Sequence, residues 1–167
     1  MTPLAGAPPR ARFAVLDIDG VLADVAHRLH HLESRPKDWR AFFAAAAADP
    51  LLEQGAELAA ELAEQHQLVY LTGRPAHLRG VTASWLEEHD LPVGRLVMRR
   101  PRDFRPARLL KLELLTELSS ELPIEVVVDD DPEVVEALRQ AGFAVLHATW
   151  AARSAPLREA QEREGRT

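Results

Sequence analysis

The chain has 167 residues and a formal net charge of −6 at pH 7, with 20 Lys and Arg against 26 Asp and Glu. That length suits one domain with a full hydrophobic core, and the acidic balance argues against a broad nonspecific nucleic-acid surface. The lack of cysteine excludes disulfides, thiolate metal sites and cysteine nucleophiles, and no apolar run approaches the roughly 20 residues of a membrane span.

Met1–Arg10 carries Pro3, Pro8 and Pro9 among small residues. It reads as a loose tail without a signal-peptide pattern, so a soluble cytoplasmic protein is expected. Phe13-Ala14-Val15-Leu16 is a β-rich apolar run ending in Asp17-Ile18-Asp19-Gly20-Val21. Residues i and i+2 of a strand share a face, so the two carboxylates leave the sheet together. Gly20 permits an unusual turn there. Acids so close repel and call for a divalent cation, a shared proton or both, unless they only cap the next helix.

Short helical patterns follow. His27 and His31 are four apart and share a helix face, with His30 between them. Lacking a third ligand, they suit substrate contact or plain surface better than a metal site. Trp39, Phe42 and Phe43 fit a small helical core over the crevice better than an aromatic platform for a base. The alanine run 44–48 favours helix, and Leu58 and Leu62 mark the next one.

A second strand, Leu68–Leu71, ends in Thr72-Gly73-Arg74-Pro75. Leu78, Val81 and Trp85 then repeat at helical spacing, with Pro75 suited to the first turn. After a strand at Arg95–Met98 comes an arginine-rich stretch, Arg95, Arg99, Arg100, Arg102, Arg105 and Arg108, opposed only by Asp103. It is either a solvated face or a local basic groove. Pro106 opens a helix marked by Leu112, Leu115 and Leu118, on which Lys111 lies. The Ile124–Val128 strand ends in Asp129-Asp130-Asp131. Asp131-Pro132-Glu133 reads as an N-cap, a first-turn proline and an early acid, and Gly142 closes that helix. Phe143–Leu146 is the last strand, and the segment after Trp150 is polar.

Strands alternating with helices imply an α/β fold, a Rossmann-like parallel sheet with helices on both faces. The expected organisation is a tail over 1–11, one domain over 12–150 and a polar tail over 151–167. Within the domain, residues 21–66 form a helical insertion and the helix before strand two.

Ligands of open parallel sheets bind beyond the carboxyl ends of the strands. Asp17 and Asp19 end one strand and Asp129 and Asp130 another; four carboxylates in one crevice call for a cation. Oxygen-only ligation points to Mg²⁺ rather than zinc. Thr72 alone would be a helix cap and Lys111 alone a surface lysine. Together with Mg²⁺ they suit a phosphoryl group, for which an aspartate is a competent nucleophile and its neighbour a proton donor and acceptor.

With these pieces in this order, the chain resembles the phosphatases of the haloacid dehalogenase (HAD) superfamily. The four motifs are Asp17-Ile-Asp19-Gly-Val, Leu71-Thr72-Gly73-Arg74, Lys111 and Val128-Asp129-Asp130. The resemblance implies that Asp17 becomes phosphorylated, and that Asp19 is the general acid/base and gives its backbone carbonyl to Mg²⁺. Thr72 would bond the phosphoryl oxygens and Lys111 neutralise the transferring group. Asp130 would be the motif-four metal ligand, with Asp129 behind it or sharing the role. Gly73, Arg74, Arg99 and Arg102 are the expected substrate contacts.

A narrower likeness is to the phosphatase half of bacterial and phage polynucleotide kinase-phosphatases, which remove 3′-phosphates from nucleic-acid ends. It rests on His27-Arg28-Leu29-His30, Pro36-Lys37-Asp38-Trp39, Leu71–Pro75, Met98–Asp103 and Asp129–Val135. These 167 residues hold no Gly-x-x-x-x-Gly-Lys-Ser/Thr loop, hence no kinase half. Val21–Tyr70 and Pro75–Arg108 are each too short for a full cap domain, which favours a substrate whose bulk stays outside, such as an oligonucleotide end or a phosphoprotein.

The expected activity is Mg²⁺-dependent phosphomonoester hydrolysis through an aspartyl-phosphate, acting on terminal 3′-phosphates of nucleic acid. The alternative is a small-molecule phosphatase or nucleotidase. A receiver-like or inactive phosphate-binding module is disfavoured, because the acidic pair opens this chain and a second pair stands where a receiver has a lone aspartate. No membrane association is expected, and the sequence does not identify a protein partner.

Overall fold

The computed structural model describes residues 11–167; the Pro-rich start Met1–Arg10, read above as a loose tail, lies outside them. The strands are β1 (Phe13–Leu16), β2 (Gln67–Pro75), β3 (Gly94–Arg99), β4 (Ile124–Asp129) and β5 (Val145–His147). The helices are α1 (His30–Glu33), α2 (Trp39–Ala44), α3 (Glu53–Ala63), α4 (Arg79–Glu88), α5 (Ala107–Glu121), α6 (Pro132–Gln140) and α7 (Ala155–Arg158). All strand pairs are parallel, in the order β3-β2-β1-β4-β5.

β1 sits in the middle of the sheet and all four of its residues are buried. Its unbroken apolar run is what a strand covered on both faces requires. Alternation then assigns the faces. Ala14 and Leu16 join Ala59 of α3 and Trp85 and Leu86 of α4 in one core. Phe13 and Val15 join Leu110, Leu114 and Leu118 of α5 and Val134 and Leu138 of α6 in the other. Helices therefore cover both faces, as the alternating pattern implies.

The chain between β1 and α3 is a small insertion of short helices with no separate cap. Leu32, Phe42 and Phe43 of this insertion pack with Leu78, Met98 and Ala160 in a third core. Trp39 stacks on Phe43, ring centroids 5.9 Å apart. Ala23 bridges Asp19 on one side and Leu51 on the other, and the Val21 carbonyl accepts from Trp150 Nε1 at 2.9 Å. These contacts tie the insertion down over the end of β1.

Several boundaries differ from the sequence reading for identifiable reasons. β2 continues through Thr72-Gly73-Arg74 to Pro75, because β3 follows it with a register shift between Thr72 and Pro75. Pro75 thus ends a strand, and α4 starts only after a 3₁₀ turn at Ala76–Leu78. Pro106 is the residue just before α5 rather than in its first turn. β5 begins at Val145, because the Phe143 N–H is taken by the Leu138 carbonyl in closing α6. Gly142 closes that helix with φ +93°, and Asp131 caps it, accepting from the Glu133 N–H at 2.9 Å.

The polar segment after Trp150 forms α7 and a π-type turn at Glu159–Arg163. Gln161, Glu162 and Thr167 are buried. Among the described residues, no helix is long and apolar enough to cross a membrane.

Candidate active site

The sheet order puts β1 beside both β2 and β4, and the polar strand ends meet there. The Asp17 N–H still bonds the Val128 carbonyl at 2.9 Å, so the β1–β4 ladder itself places this residue. Its Oδ1 accepts from the Ile18 N–H at 2.7 Å, and its Oδ2 lies 2.9 Å from Lys111 Nζ. Lys111 comes from α5 and also donates to Asp129 Oδ2 at 2.6 Å. Asp129 Oδ1 accepts from the Asp131 N–H at 3.0 Å. One oxygen each from Asp17, Asp129 and Asp130 lie within 4.8 Å of one another.

The charges in this cluster do not balance locally. Three buried carboxylates face one buried ammonium, with Arg153 at the rim 3.1 Å from Asp130 Oδ2. Burial, reinforced by Asp129 and Asp19 against the pull of Lys111, pushes the Asp17 carboxyl up to about 7. Burial and the neighbouring acids also raise Asp130 well above the usual carboxylate range. Burial alone would lower the Lys111 ammonium, but Asp129 and Asp17 outweigh it and hold the group charged. Asp130 Oδ1 is buried with no hydrogen-bond partner. An orphaned anionic oxygen facing two other carboxylates is what an oxygen-ligated divalent cation satisfies.

Gly20 makes room for this arrangement. It has φ +79°, and a Cβ there would overlap the Asp130 carboxylate. The turn after Asp19 then folds back tightly, the N–H groups of Val21, Leu22 and Ala23 all reaching the Ile18 carbonyl.

Asp19 lies in a different environment. Its Oδ1 accepts from Arg74 Nη2 at 2.6 Å, Arg74 Nε at 2.9 Å and Arg28 Nη2 at 3.3 Å. Its Oδ2 accepts from the Thr167 hydroxyl at 3.1 Å. Burial would raise this carboxyl, but Arg74 and then Arg28 overcome it and hold it at about 2. Two acids one residue apart in sequence are thus driven in opposite directions by unlike surroundings, so that without metal Asp17 holds a proton more readily than Asp19 does. Thr72 is buried, and its Oγ1 accepts from the Arg74 N–H at 3.1 Å.

The expected substrate contacts are distributed unevenly. Gly73 is at the crevice floor, its α-carbon against the Thr167 main chain, where a Cβ would come 2.7 Å from the Thr167 carbonyl oxygen. Arg74 is fully buried and spent on Asp19 and Asp49. Arg99 is buried too, bonding the carbonyls of Gly73 at 2.9 Å and Arg105 at 2.7 Å, so it braces the loop. Arg102 is exposed at φ +61°, without an ion-pair partner among the described residues. It lines a cavity of about 290 Å³ with Phe43, His77, Arg99, Phe104 and Arg166. Arg166 lies over the rings of Trp39 (5.0 Å) and Phe104 (5.3 Å).

A family model described as the polynucleotide kinase PNKP phosphatase domain matches residues 11–151. The chain belongs to this family. It is a HAD-type phosphatase, and all four motif regions fall inside the PNKP phosphatase match. None of the curated proteins compared with it matches. Among solved structures, a chain of the Pnkp1/Rnl/Hen1 RNA repair complex superposes with a TM-score of 0.71 at 21% identity, covering 86% of this chain and 44% of that one. A second structure of the Pnkp1/Rnl/Hen1 complex gives 0.71 at 23% identity, with 89% and 49% coverage. The protein therefore spans less than half the length of these larger chains. A HAD-like hydrolase from Streptococcus pneumoniae matches over 91% of both chains, with a TM-score of 0.60 and 16% identity.

This PNKP-type phosphatase domain also contains site residues the sequence reading did not assign. Arg28 and Asp49 come from the insertion, Arg153 from the loop after β5 and Thr167 from the end of the chain. Arg28 stood within a segment similar to the family, but its role was unread. Asp49-Pro50 carries only a turn signal.

Proposed function

We propose that this protein is a Mg²⁺-dependent phosphomonoesterase that works through an aspartyl-phosphate on Asp17 and removes 3′-phosphates from nucleic-acid ends. The observation that carries the reading is the meeting of Asp17, Asp129 and Asp130 within 4.8 Å of one another, with Lys111 bonded to the first two and one buried Asp130 oxygen without a hydrogen-bond partner among the described residues. These donors fit Mg²⁺, which would be held by Asp17, Asp129 and Asp130 and would supply charge neutralisation for a phosphoryl group.

The residues then divide the work. A carboxylate oxygen of Asp17 attacks phosphorus as the bond to the ester oxygen breaks, and Asp19, which must first gain a proton against the hold of Arg74 and Arg28, gives it to that oxygen. In the second half Asp19 takes a proton from water, whose oxygen attacks phosphorus as the bond to Asp17 breaks, releasing inorganic phosphate. Lys111 balances negative charge beside Asp17, and the Thr72 hydroxyl and the Gly73 region hold phosphoryl oxygens. A HAD enzyme from Bacteroides thetaiotaomicron, solved with magnesium and inorganic phosphate, shares the fold (TM-score 0.50, 11% identity, 88% and 98% coverage).

Three features support a nucleic-acid end as substrate. The insertion after β1 is short, leaving room for a large substrate outside. The cavity beside Arg99 offers His77 and Phe104 as stacking surfaces and Arg102 as a cation without an ion-pair partner among the described residues, the combination that single-stranded nucleic acid uses. The Pnkp1-containing neighbours belong to an RNA repair complex.

The deciding experiment compares phosphate release from a 3′-phosphorylated oligonucleotide and from the matching 3′-mononucleotide, with Mg²⁺ or EDTA and with Asp17→Asn. Preference for the oligonucleotide, lost in EDTA and in the variant, is the expected result. Equal or faster turnover of the mononucleotide would transfer the substrate to the small-molecule class, and appreciable activity in Asp17→Asn would remove the nucleophile assignment.

A further inference from the structure

Asp49 is buried and lies in the insertion, directly after the 3₁₀ turn at Ala45–Ala48, where Trp85 Nε1 of α4 bonds its carbonyl at 2.9 Å. Its carboxylate accepts four hydrogen bonds. Oδ1 takes His27 Nε2 at 2.7 Å and Arg28 Nε at 2.8 Å; Oδ2 takes Arg28 Nη2 at 2.9 Å and Arg74 Nη2 at 2.8 Å. Four donors fill the lone-pair positions of a carboxylate. The two guanidiniums it holds are the same two that hold Asp19, and in each a single nitrogen, Nη2, is shared between Asp49 and Asp19 Oδ1. Arg28 is fixed further by the ring of Phe42, 4.3 Å away, and Arg74 by Thr82 Oγ1 at 3.4 Å.

We infer that Asp49 is a positioning residue for the phosphatase reaction: through Arg28 and Arg74 it sets where the Asp19 carboxylate stands relative to the leaving oxygen. This rests on the aspartyl-phosphate reading, in which Asp19 handles the leaving-group proton. The geometry supplies the reason. Two carboxylates and two guanidiniums form a closed, charge-balanced ring in which neither arginine can turn without breaking a bond to Asp49. Without that carboxylate, both guanidiniums are free to close on Asp19 alone, and its oxygen is drawn off line. A buried aspartate that only stabilised the insertion would need no arginine in common with Asp19.

The test exploits leaving-group chemistry. An alkoxide leaving from a nucleoside 3′-phosphate needs a proton, whereas p-nitrophenolate does not. Asp49→Asn is expected to lower the first-turnover rate of phosphoenzyme formation by about 10-fold or more from a 3′-phosphorylated oligonucleotide and by about 3-fold or less from p-nitrophenyl phosphate, while the later attack of water, which also uses Asp19, slows alike for both. Asp49→Glu keeps the charge but displaces the carboxylate; it should give the same selective loss in smaller measure and decides the matter if Asp49→Asn does not fold. In an Asp19→Asn background, Asp49→Asn should cost nothing further on either substrate. Equal losses of the first-turnover rate for both leaving groups, or additive losses in the double variant, would overturn the inference and leave Asp49 a structural residue. A wild-type protein that forms no acid-stable phosphoenzyme with either ester would instead remove the underlying mechanism, and the inference with it.

Discussion

Lys111 Nζ lies 2.9 Å from Asp17 Oδ2, joining the middle of one helix to the residue that leaves the central strand. Because it also bonds Asp129, this one ammonium separates two of the three carboxylates in the cluster. Lys111→Ala is expected to cut turnover by about 10²–10³-fold, the magnitude typical of a lost charge stabiliser, while far-UV circular dichroism stays native. The fold survives because Asp17 and Asp130 are already inclined to hold protons. A collapsed spectrum would show that the lysine is structural.

Metal-free protein should become more stable as pH falls from about 8 to about 5. The Asp17 carboxyl is raised to about 7 and the Glu162 carboxyl to about 8, mainly by burial, and Asp130 is raised as well. Groups raised on folding contribute stability that is full below their unfolded value and lost as pH climbs through the folded one. Asp19 works the other way, since its carboxyl is held at about 2. Its contribution is present above the ordinary carboxylate value and lost only as pH falls toward 2. Thermal melts in EDTA across this range check the slope, and Mg²⁺ should raise Tm more at pH 8 than at pH 5. A flat apo profile would contradict the charge imbalance in the cluster.

Gly20→Ala tests the close approach of the first turn to the last acid pair. Its φ of +79° is strained for alanine, and the added carbon would meet Asp130. Strain of this kind costs on the order of 1–3 kcal/mol, so the protein should fold with a lower Tm. The Mg²⁺-induced rise in Tm should shrink or vanish because Asp130 is displaced. A normal Mg²⁺ response would mean that Asp130 is not a ligand.

Arg102→Ala should weaken kcat/KM for a 3′-phosphorylated oligonucleotide by a few-fold and leave the 3′-mononucleotide unchanged. One lost phosphate contact lowers the slope of log kcat/KM against log salt by about 0.7 for a single strand. Arg95→Ala is the control, since Arg95 is already paired with Glu121 and lies outside the cavity lining. If both arginines change the salt slope equally, the cavity is not the strand's path.

The acids of the catalytic cluster were legible because strand periodicity is local. Phe13–Leu16 has only one way to be buried on both sides, and Asp17 must then stand at its end. The helix carrying Lys111 was equally legible from its leucine spacing. Arg28 and Asp49 were not, since Asp49 meets its arginines 21 and 25 residues away in the chain. Nothing near Asp49-Pro50 distinguishes such an aspartate from one in a surface turn. Arg99 was expected to contact substrate as part of a basic run, yet the carbonyls of an irregular loop needed a buried donor, and it supplies one. The segment after Trp150 gave no sign in its composition that Glu162 would be buried beside Arg108, 2.6 Å away.

Thr167 covers the α-carbon of Gly73 and bonds Asp19; with phosphoryl oxygens held at Gly73, as proposed, this residue and the phosphoryl group compete for one place. Occupancy of the crevice and order of residues 165–167 are then competing equilibria, and each reports on the other. A phosphate analogue that settles beside Gly73 should expose this segment to protease, and clipping the segment should tighten the analogue's binding by the same factor.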